Sequence, residues 1–351
     1  MSQFLKSKIL EHLIRKVLSN CGFTSVASDG IYIYDKAPLQ MINGKGAAHD
    51  ADVLMNPPIQ MPFSYPTRIL FECKAYARNR KVGVDIARSA SGLRNDINDF
   101  EIITEQFLNE RQNNRRAILA ISDRKRHYYQ VGIATLFEFS KPALEFAANN
   151  KIPLLSISEL FAHSILPDLI DSIPSNIQQQ IGDENYNRII NELSKKNINE
   201  LNYEILIGQN ELITQIISLL NEEIKQVYVG LLESGEILFI RRENENGNDD
   251  ILSGNNGLLT ARIHWENPNR DRWWFEFNDS AIRYYFYLPK QIANAWREFN
   301  DSRASALQLK EENFARFFIF KKGQQNNLMP FKLVTLNNHW LLELVSTFDN
   351  Q

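Results

Sequence analysis

Residues Arg68–Tyr76 read RILFECKAY, and the interpretation of this stretch decides the fold. Ile69, Leu70 and Phe71 are strand formers large enough to be buried. Glu72 and Lys74 then place two charges in the same run. Charges in a buried strand are costly unless they are paired or bind something. Side chains alternate along a strand, so Glu72 and Lys74 share one face while Phe71 and Cys73 share the other. One face is expected to pack inward, and the other to present an acid and a base side by side.

The elements around this strand extend the pattern. ADVLM (51–55) reads as a second strand, and NPPIQMPFSYP (56–66) holds four prolines and joins the two as a hairpin loop. Asp52 sits at the loop-to-strand edge, where hairpin pairing would bring it near Glu72. Two carboxylates at close range repel and shift each other's pKa unless a cation lies between them. Oxygen donors with open water positions suit Mg²⁺ or Mn²⁺. A lysine beside them can orient or help deprotonate an attacking water, or neutralise charge developing on a phosphate. A cross-strand ion pair on a surface strand would give the same spacing. The copy at Glu223-Ile224-Lys225 lies on an expected helix, where residues two apart face apart, and is expected to be plain surface.

The remaining elements follow from periodicity and capping. Phe4, Leu5, Ile9, Leu13, Ile14, Val17 and Leu18 recur at helical spacing and predict a first helix over 3–20, ended by Gly22. IYIYD (31–35) reads as a strand, and glycine-rich MINGKGAAHD (41–50) as a loop. Residues 82–110 read as mostly helical with a break near Gly92. RAILAIS (116–122) and YYQVGIATLF (128–137) read as strands around the turn DRKRH. Ser140 caps a helix with Pro142 in its first turn, and IPLLSISEL (152–160) gives a last strand and a short helix. The predicted fold is α/β, a mixed sheet flanked by helices.

The 351 residues suggest two domains or one large one. Residues 1–165 form the first unit, 166–225 a polar helical linker, and 226–351 a β-rich α+β unit. The first 165 residues carry 21 Lys/Arg against 16 Asp/Glu, a net of +5, while the remainder carries 18 against 26, a net of −8. The first unit is therefore the better candidate for touching a polyanion. Basic residues cluster at Arg78, Arg80 and Lys81 and at Arg124, Lys125 and Arg126, where they could supply salt-sensitive phosphate contacts. The aromatic run IHWENPNRDRWWFEF, with Arg270 and Arg272, could stack bases, although aromatics alternating on strands are more often core. The N-terminus lacks a signal peptide, no apolar run spans a membrane, and the two lone cysteines make no metal motif. A cytoplasmic protein without membrane contact is the expectation.

HDADVL, the proline-rich loop and ILFECKAY resemble the Asp…Glu-x-Lys signature of the PD-(D/E)xK nuclease superfamily. EHLIRKVLSNCGF resembles the first helix of Mrr-like restriction endonucleases, and YYQVGIATLFEFSKPALEFAANNKIPLLS the elements that close their core. The resemblance covers roughly residues 3–165. It implies a restriction-endonuclease-like fold in which Asp52, Glu72 and the Cys73 backbone carbonyl hold Mg²⁺ or Mn²⁺. Lys74 would position the attacking water, and Glu11 would hold a water or second cation. No proline precedes Asp52, and the helix after Glu-x-Lys shows Asp85 and Arg88 where a glutamine is frequent. Asp50 competes with Asp52 for the metal, both expected on one side of a strand; His49 is a candidate proton shuttle or a loop histidine. Cys73 itself reads as a buried small hydrophobe.

The expectation is thus a metal-dependent nuclease acting on double-stranded DNA, similar to bacterial restriction or phage-defence effectors. A homodimer would let it cut both strands. The alternatives are a nucleic-acid-binding or assembly module that keeps the fold without cutting, and a nuclease gated by a small nucleotide ligand bound to the C-terminal unit, where a regulatory ligand or partner protein would sit.

Overall fold

The strand predicted at the centre is there. In the computed structural model, β1 is Thr24–Ser25, β2 Ile33–Lys36, β3 Leu39–Asn43, β4 Ala48–Asp50, β5 Val53–Asn56, β6 Thr67–Lys74, β7 Tyr128–Thr135 and β8 Leu154–Ser156. The structure describes residues 2–60, 64–102, 105, 109, 126–232, 236–243, 258–265, 272–277, 282–287, 316–320 and 332–336. One sheet runs β1-β5-β6-β7-β8. β5 and β6 pair antiparallel, with Val53 opposite Phe71, as the hairpin reading requires. β6 and β7 pair parallel, and β8 follows parallel to β7. The sheet is therefore mixed.

Helix α1, Ser2–Asn20, covers one side of the sheet. Its buried Leu5, Ile9, Leu13 and Val17 share a core with Ile69, Phe71 and Cys73, the odd-numbered face of β6. Helix α2, Val84–Asn98, covers the other side and buries Ala87, Ala90 and Leu93 with Leu70. Alternation along β6 is thus as read, but both faces of its N-terminal half are packed. Phe71 also explains Gly132 on β7. A Cβ there would stand 2.7 Å from the Phe71 ring and 3.0 Å from the Pro153 carbonyl, so glycine is what lets the ring come this close to the neighbouring strand. Gly22, at φ +88°, ends α1 in the left-handed region that glycine tolerates best.

Two sequence readings are corrected. Residues 41–50 were expected as loop, yet 39–43 and 48–50 are β3 and β4 of a small β2-β3-β4 sheet. The glycines serve a four-residue turn only: Asp96 accepts the Gly46 N–H at 2.7 Å, while Ile33 and Ile42 anchor the strands in the α2-side core. Helix α2 is unbroken at Gly92 and stops at Asn98; residues 105 and 109 are helical again, so the break expected near Gly92 falls after Asn98 instead. Its flanking Ala90 and Leu93 are buried, and packing outweighs the glycine's modest helix penalty of about 1 kcal/mol. The predicted strand at 116–122 lies outside the described residues.

Helices follow: α3 Lys141–Asn149, capped by Ser140 as predicted, α4 Ile157–Leu160, α5 Leu166–Asp171, α6 Ile177–Ile181, α7 Asp183–Leu193, α8 Tyr203–Leu206 and α9 Glu211–Ile224. Ile170, Ile177, Ile189, Leu193, Ile213, Ile216 and Leu220 from α5–α9 sit in the same core as α1. The 166–225 stretch is helical, as expected, and is packed rather than extended. The control motif behaves only in part as plain surface. Glu223 and Lys225 do face apart, but Glu223 pairs with Arg241 at 2.7 Å, while Lys225 pairs with Glu222.

The C-terminal strands are β9 Val227–Leu232, β10 Ile237–Glu243, β11 Leu258–Trp265, β12 Arg272–Phe277, β13 Arg283–Tyr287, β14 Arg316–Phe320 and β15 Lys332–Leu336. They curl into a closed order, β9-β10-β13-β12-β11-β15-β14, antiparallel except for β11 with β15. Tyr228, Phe275, Tyr284 and Phe317 fill its interior. The aromatic run is mostly core, as weighed from sequence: Trp273, Phe275 and Phe277 point inward, while Trp274 stacks on His264 with ring centroids 3.8 Å apart. Arg270 lies outside the described residues. Among the described residues, no helix is long and apolar enough to cross a membrane.

Candidate active site

The C-terminal end of β6 is where the predicted residues meet. The β5–β6 ladder ends at Val53 opposite Phe71, and Asp52 lies one residue beyond it, at the level of Glu72 and Cys73. Ala51 is buried in the α2-side core and Val53 in the α1-side core, so the chain changes face at the bend on residue 52. That bend corrects the expectation that Asp50 and Asp52 share one side of a strand. Asp50 instead belongs to β4, pairs with Met41 and is exposed.

The Asp52 side chain turns back onto β6, and its Oδ2 accepts the Cys73 backbone N–H at 2.8 Å. The Cys73 thiol is buried and serves the core, as expected. Burial raises the Asp52 pKa above the ordinary carboxylate value; the Cys73 N–H and the charges of Lys74, Lys8 and Arg15 oppose that rise. Glu72 and Lys74 form an ion pair at 3.4 Å on the shared face. Burial pulls the Lys74 ammonium down, but Glu72 and Asp52 outweigh it and its pKa stands above the usual lysine value. Lys74 therefore stays charged at neutral pH. It can orient a water or neutralise a phosphate oxygen, but a protonated amine cannot take a proton.

Glu11 is brought to this site by α1, and its environment is more constrained than the sequence suggested. Lys8 Nζ donates to both of its carboxylate oxygens at 2.9 Å, and an Arg15 N–H donates to Oε2 at 3.0 Å. All three side chains are buried. Burial raises the Glu11 pKa and the Asp52 charge raises it further, against the pull of Arg15 and Lys8. Arg15 continues the network, donating to the Asp52 carbonyl at 2.7 Å and the Leu193 carbonyl at 3.0 Å. A small polar cavity beside Asp52 is lined by Lys8, Glu11, Arg15, Asp50, Asp52 and Lys196. Lys8 and Arg15 were missed in the sequence reading. The signal was available: positions 8, 11 and 15 fall on one face of a helix otherwise patterned for burial.

His49 is not drawn to the carboxylates. Its Nε2 lies 2.7 Å from Asp96 Oδ2, on the turn that Asp96 also holds through Gly46. Arg78, Arg80 and Lys81 follow β6 directly and are exposed. Arg78 Nε donates to Asp168 Oδ1 at 3.2 Å, Lys81 pairs with Glu138 at 2.5 Å, and the Arg80 guanidinium lies 4.0 Å from the Tyr76 ring centroid. Arg124 and Lys125 lie outside the described residues. Arg126 precedes β7, which runs parallel to β6 from Thr67↔Tyr128 to Lys74↔Thr135. Arg126 is thus at the far end of the sheet from Lys74, beyond the roughly 23 Å that seven residues span at about 3.3 Å per residue. The structure does not join it to the site.

Among the described residues, no group of three His, Cys, Asp or Glu is clustered closely enough to hold a metal. The donor chemistry nevertheless fits Mg²⁺, which is commonly held by one or two carboxylates and keeps several waters. Asp52, in the bend before β5, and Glu72, on β6, are hard oxygen donors. Glu11 fits less well, because both of its oxygens already meet cations.

No known protein family matches the chain, and no curated protein does. A solved structure, titled as a protein of unknown function, AF1548, is similar at 14% identity over 62% of this chain and 96% of that one, with a TM-score of 0.33. At that level the likeness carries no fold or function across.

Proposed function

We propose that this chain is a metal-dependent nuclease that hydrolyses phosphodiester bonds in DNA, with a restriction-endonuclease-like N-terminal unit. The observation that carries the reading is a charged Lys74 that pairs with Glu72 at 3.4 Å and feels the charge of Asp52, whose carboxylate is held by the N–H of the intervening Cys73. The order α1, β5–β6 hairpin, β7, α3, β8 supports the fold-level part of the reading. Asp52 and Glu72, with the Cys73 carbonyl, would hold Mg²⁺ or Mn²⁺; the ion would supply charge stabilisation for the phosphate. Lys74 orients the attacking water and offsets charge on a phosphate oxygen. Arg80 and its neighbours offer sequence-independent contacts to the backbone of the strand. A homodimer supplies the second site needed to cut a duplex, and a role in restriction or phage defence follows from the family likeness alone.

A second reading is favoured by Glu11 being fully engaged by Lys8 and Arg15: a module that binds nucleic acid without cutting it. The experiment is incubation of the purified protein with supercoiled and linear DNA, and with RNA, in Mg²⁺ or Mn²⁺, beside Lys74→Ala. Nicking by the wild type that the variant loses is the expected result. Equal inactivity of the two on every substrate, with DNA binding intact, selects the second reading.

A further inference from the structure

Residue 52 lies in a bend between β4 and β5, outside the ladder hydrogen bonds that fix a strand residue. Two bonds from other elements hold it. Cys73 N–H holds its carboxylate, and Arg15 holds its carbonyl. The same terminal nitrogen of Arg15 reaches Glu11 Oε2, and the other reaches the carbonyl of Leu193, the last residue of α7. Carbonyls at a helix C-terminus lack an intrahelical partner and favour a cation. Arg15 is 5% exposed, so none of these bonds is made by a side chain free to wander.

Building on Asp52 as a metal-holding residue, we infer that Arg15 is the positioning residue of the site: it sets Asp52 and Glu11 relative to each other and braces both on the end of α7. A guanidinium suits this task because its planar fork can serve three acceptors at fixed angles. A lysine ammonium on a shorter stem cannot span the Leu193 and Asp52 carbonyls with the same geometry. Helix α7 belongs to the 166–225 segment, so that segment forms part of the frame of the site and does more than connect the two units. Lys8 shares Glu11 with Arg15 and keeps that carboxylate partnered when Arg15 is removed, so Asp52 is the residue most affected by the loss.

The experiment compares full-length wild type, Arg15→Ala and Arg15→Lys. Four quantities are read: Mn²⁺ affinity by calorimetry, kcat and KM on DNA, recovery of both in millimolar guanidinium, and hydrogen exchange of the Cys73 amide. Loss of a residue that orients a metal ligand commonly costs about 10–100-fold in metal affinity or activity. The expectation for Arg15→Ala is a loss of that size in Mn²⁺ affinity and kcat, with KM for DNA little changed. Guanidinium restores a substantial part, urea does not, and the Cys73 amide exchanges faster. A merely structural arginine would lower the melting temperature without responding to guanidinium. If Arg15→Ala keeps wild-type Mn²⁺ affinity and Cys73 protection, the positioning role is wrong. If Arg15→Ala does not fold, Arg15→Lys decides: wild-type metal affinity and amide protection in that variant overturn the role. If the wild type neither binds Mn²⁺ nor cuts, the nuclease reading falls, and Cys73 amide exchange still tells whether Arg15 positions Asp52.

Discussion

The backbone N–H of Cys73 donates to Asp52 Oδ2 at 2.8 Å, tying the bend before one strand to the middle of a charged motif on its neighbour. The bond turns the Asp52 side chain back onto β6. It also keeps the carboxylate buried, where ionisation is costly.

Asp52→Asn preserves the shape and an acceptor for the Cys73 N–H while removing the charge. A carboxyl whose folded pKa is raised binds its proton more tightly in the folded than in the unfolded chain, so the ionised form costs stability at neutral pH. Asp52→Asn is therefore expected to unfold at the wild-type temperature or slightly above at pH 7, while losing nicking activity by about 100-fold or more, beyond the roughly 10–100-fold typical of losing a residue that only orients a ligand. Calorimetry and a plasmid-nicking assay on the same preparation check both halves. A marked fall in melting temperature would contradict the buried-charge account.

His12 is fully buried on α1, and among the described residues neither ring nitrogen has a hydrogen-bond partner. Burial, then the charges of Lys16 and Arg15, lower its pKa from 6.5 to about 3. The unfolded chain binds more protons than the folded one between those values. Stability is thus present above pH 6.5 and lost progressively as pH falls toward 3, by on the order of a few kcal/mol across the window. His12→Leu removes the unsatisfied nitrogens and is expected to flatten the acid limb. Urea unfolding at pH 7, 6 and 5 measures the slope, and an unchanged slope would show that another group sets it.

Gly132→Ala places a methyl 2.7 Å from the Phe71 ring. Overpacking of this kind costs about 1–3 kcal/mol. Phe71→Leu, which shortens the obstructing side chain, is expected to leave Gly132→Ala less destabilising in the double variant than in the single one. The coupling is read from a double-mutant cycle by chemical denaturation. Strict additivity would place the strain at the Pro153 carbonyl instead.

Arg80 and Arg126 lie at opposite ends of the β6–β7 pair and separate the two basic clusters cleanly. Arg80→Gln is expected to reduce the salt dependence of DNA binding by roughly one unit in the log–log slope, the loss of about one phosphate contact. Arg126→Gln is expected to leave it unchanged. Fluorescence anisotropy at several salt concentrations gives the slopes. An effect at Arg126 and none at Arg80 would move the binding surface to the other end of the sheet.

What the sequence carried was local and periodic. The alternation in RILFECKAY, the hairpin of 51–55 with 69–76, the span of α1 and its glycine stop were all legible, because each follows from spacing and turn chemistry. The bend at Asp52 was not legible. It arises because Ala51 and Val53 are claimed by cores on opposite sides of the sheet, a competition between distant elements. The charged cluster on α1 was half legible. Helical spacing aligns Lys8, Glu11 and Arg15, but nothing near them in sequence announces the carbonyls of Asp52 and Leu193 that Arg15 reaches. The turn at Gly44 and Gly46 was read as loop because its strands are anchored by Asp96, about 50 residues downstream.

Helix α1 shares its core with Val227, Val229 and Phe320, its Asn20 side chain donates to the Ile224 carbonyl at 3.1 Å, and Phe71 beneath it meets Phe239 edge-on. Helix α1 is therefore synthesised well before the strands that complete its cover. At about 5–20 residues per second, α1 waits roughly 15–60 s for the last of the strands that enclose it. Throughout that interval the apolar face of a newborn helix is exposed to whatever else in the cell binds one, and the yield of native protein depends on what it meets first.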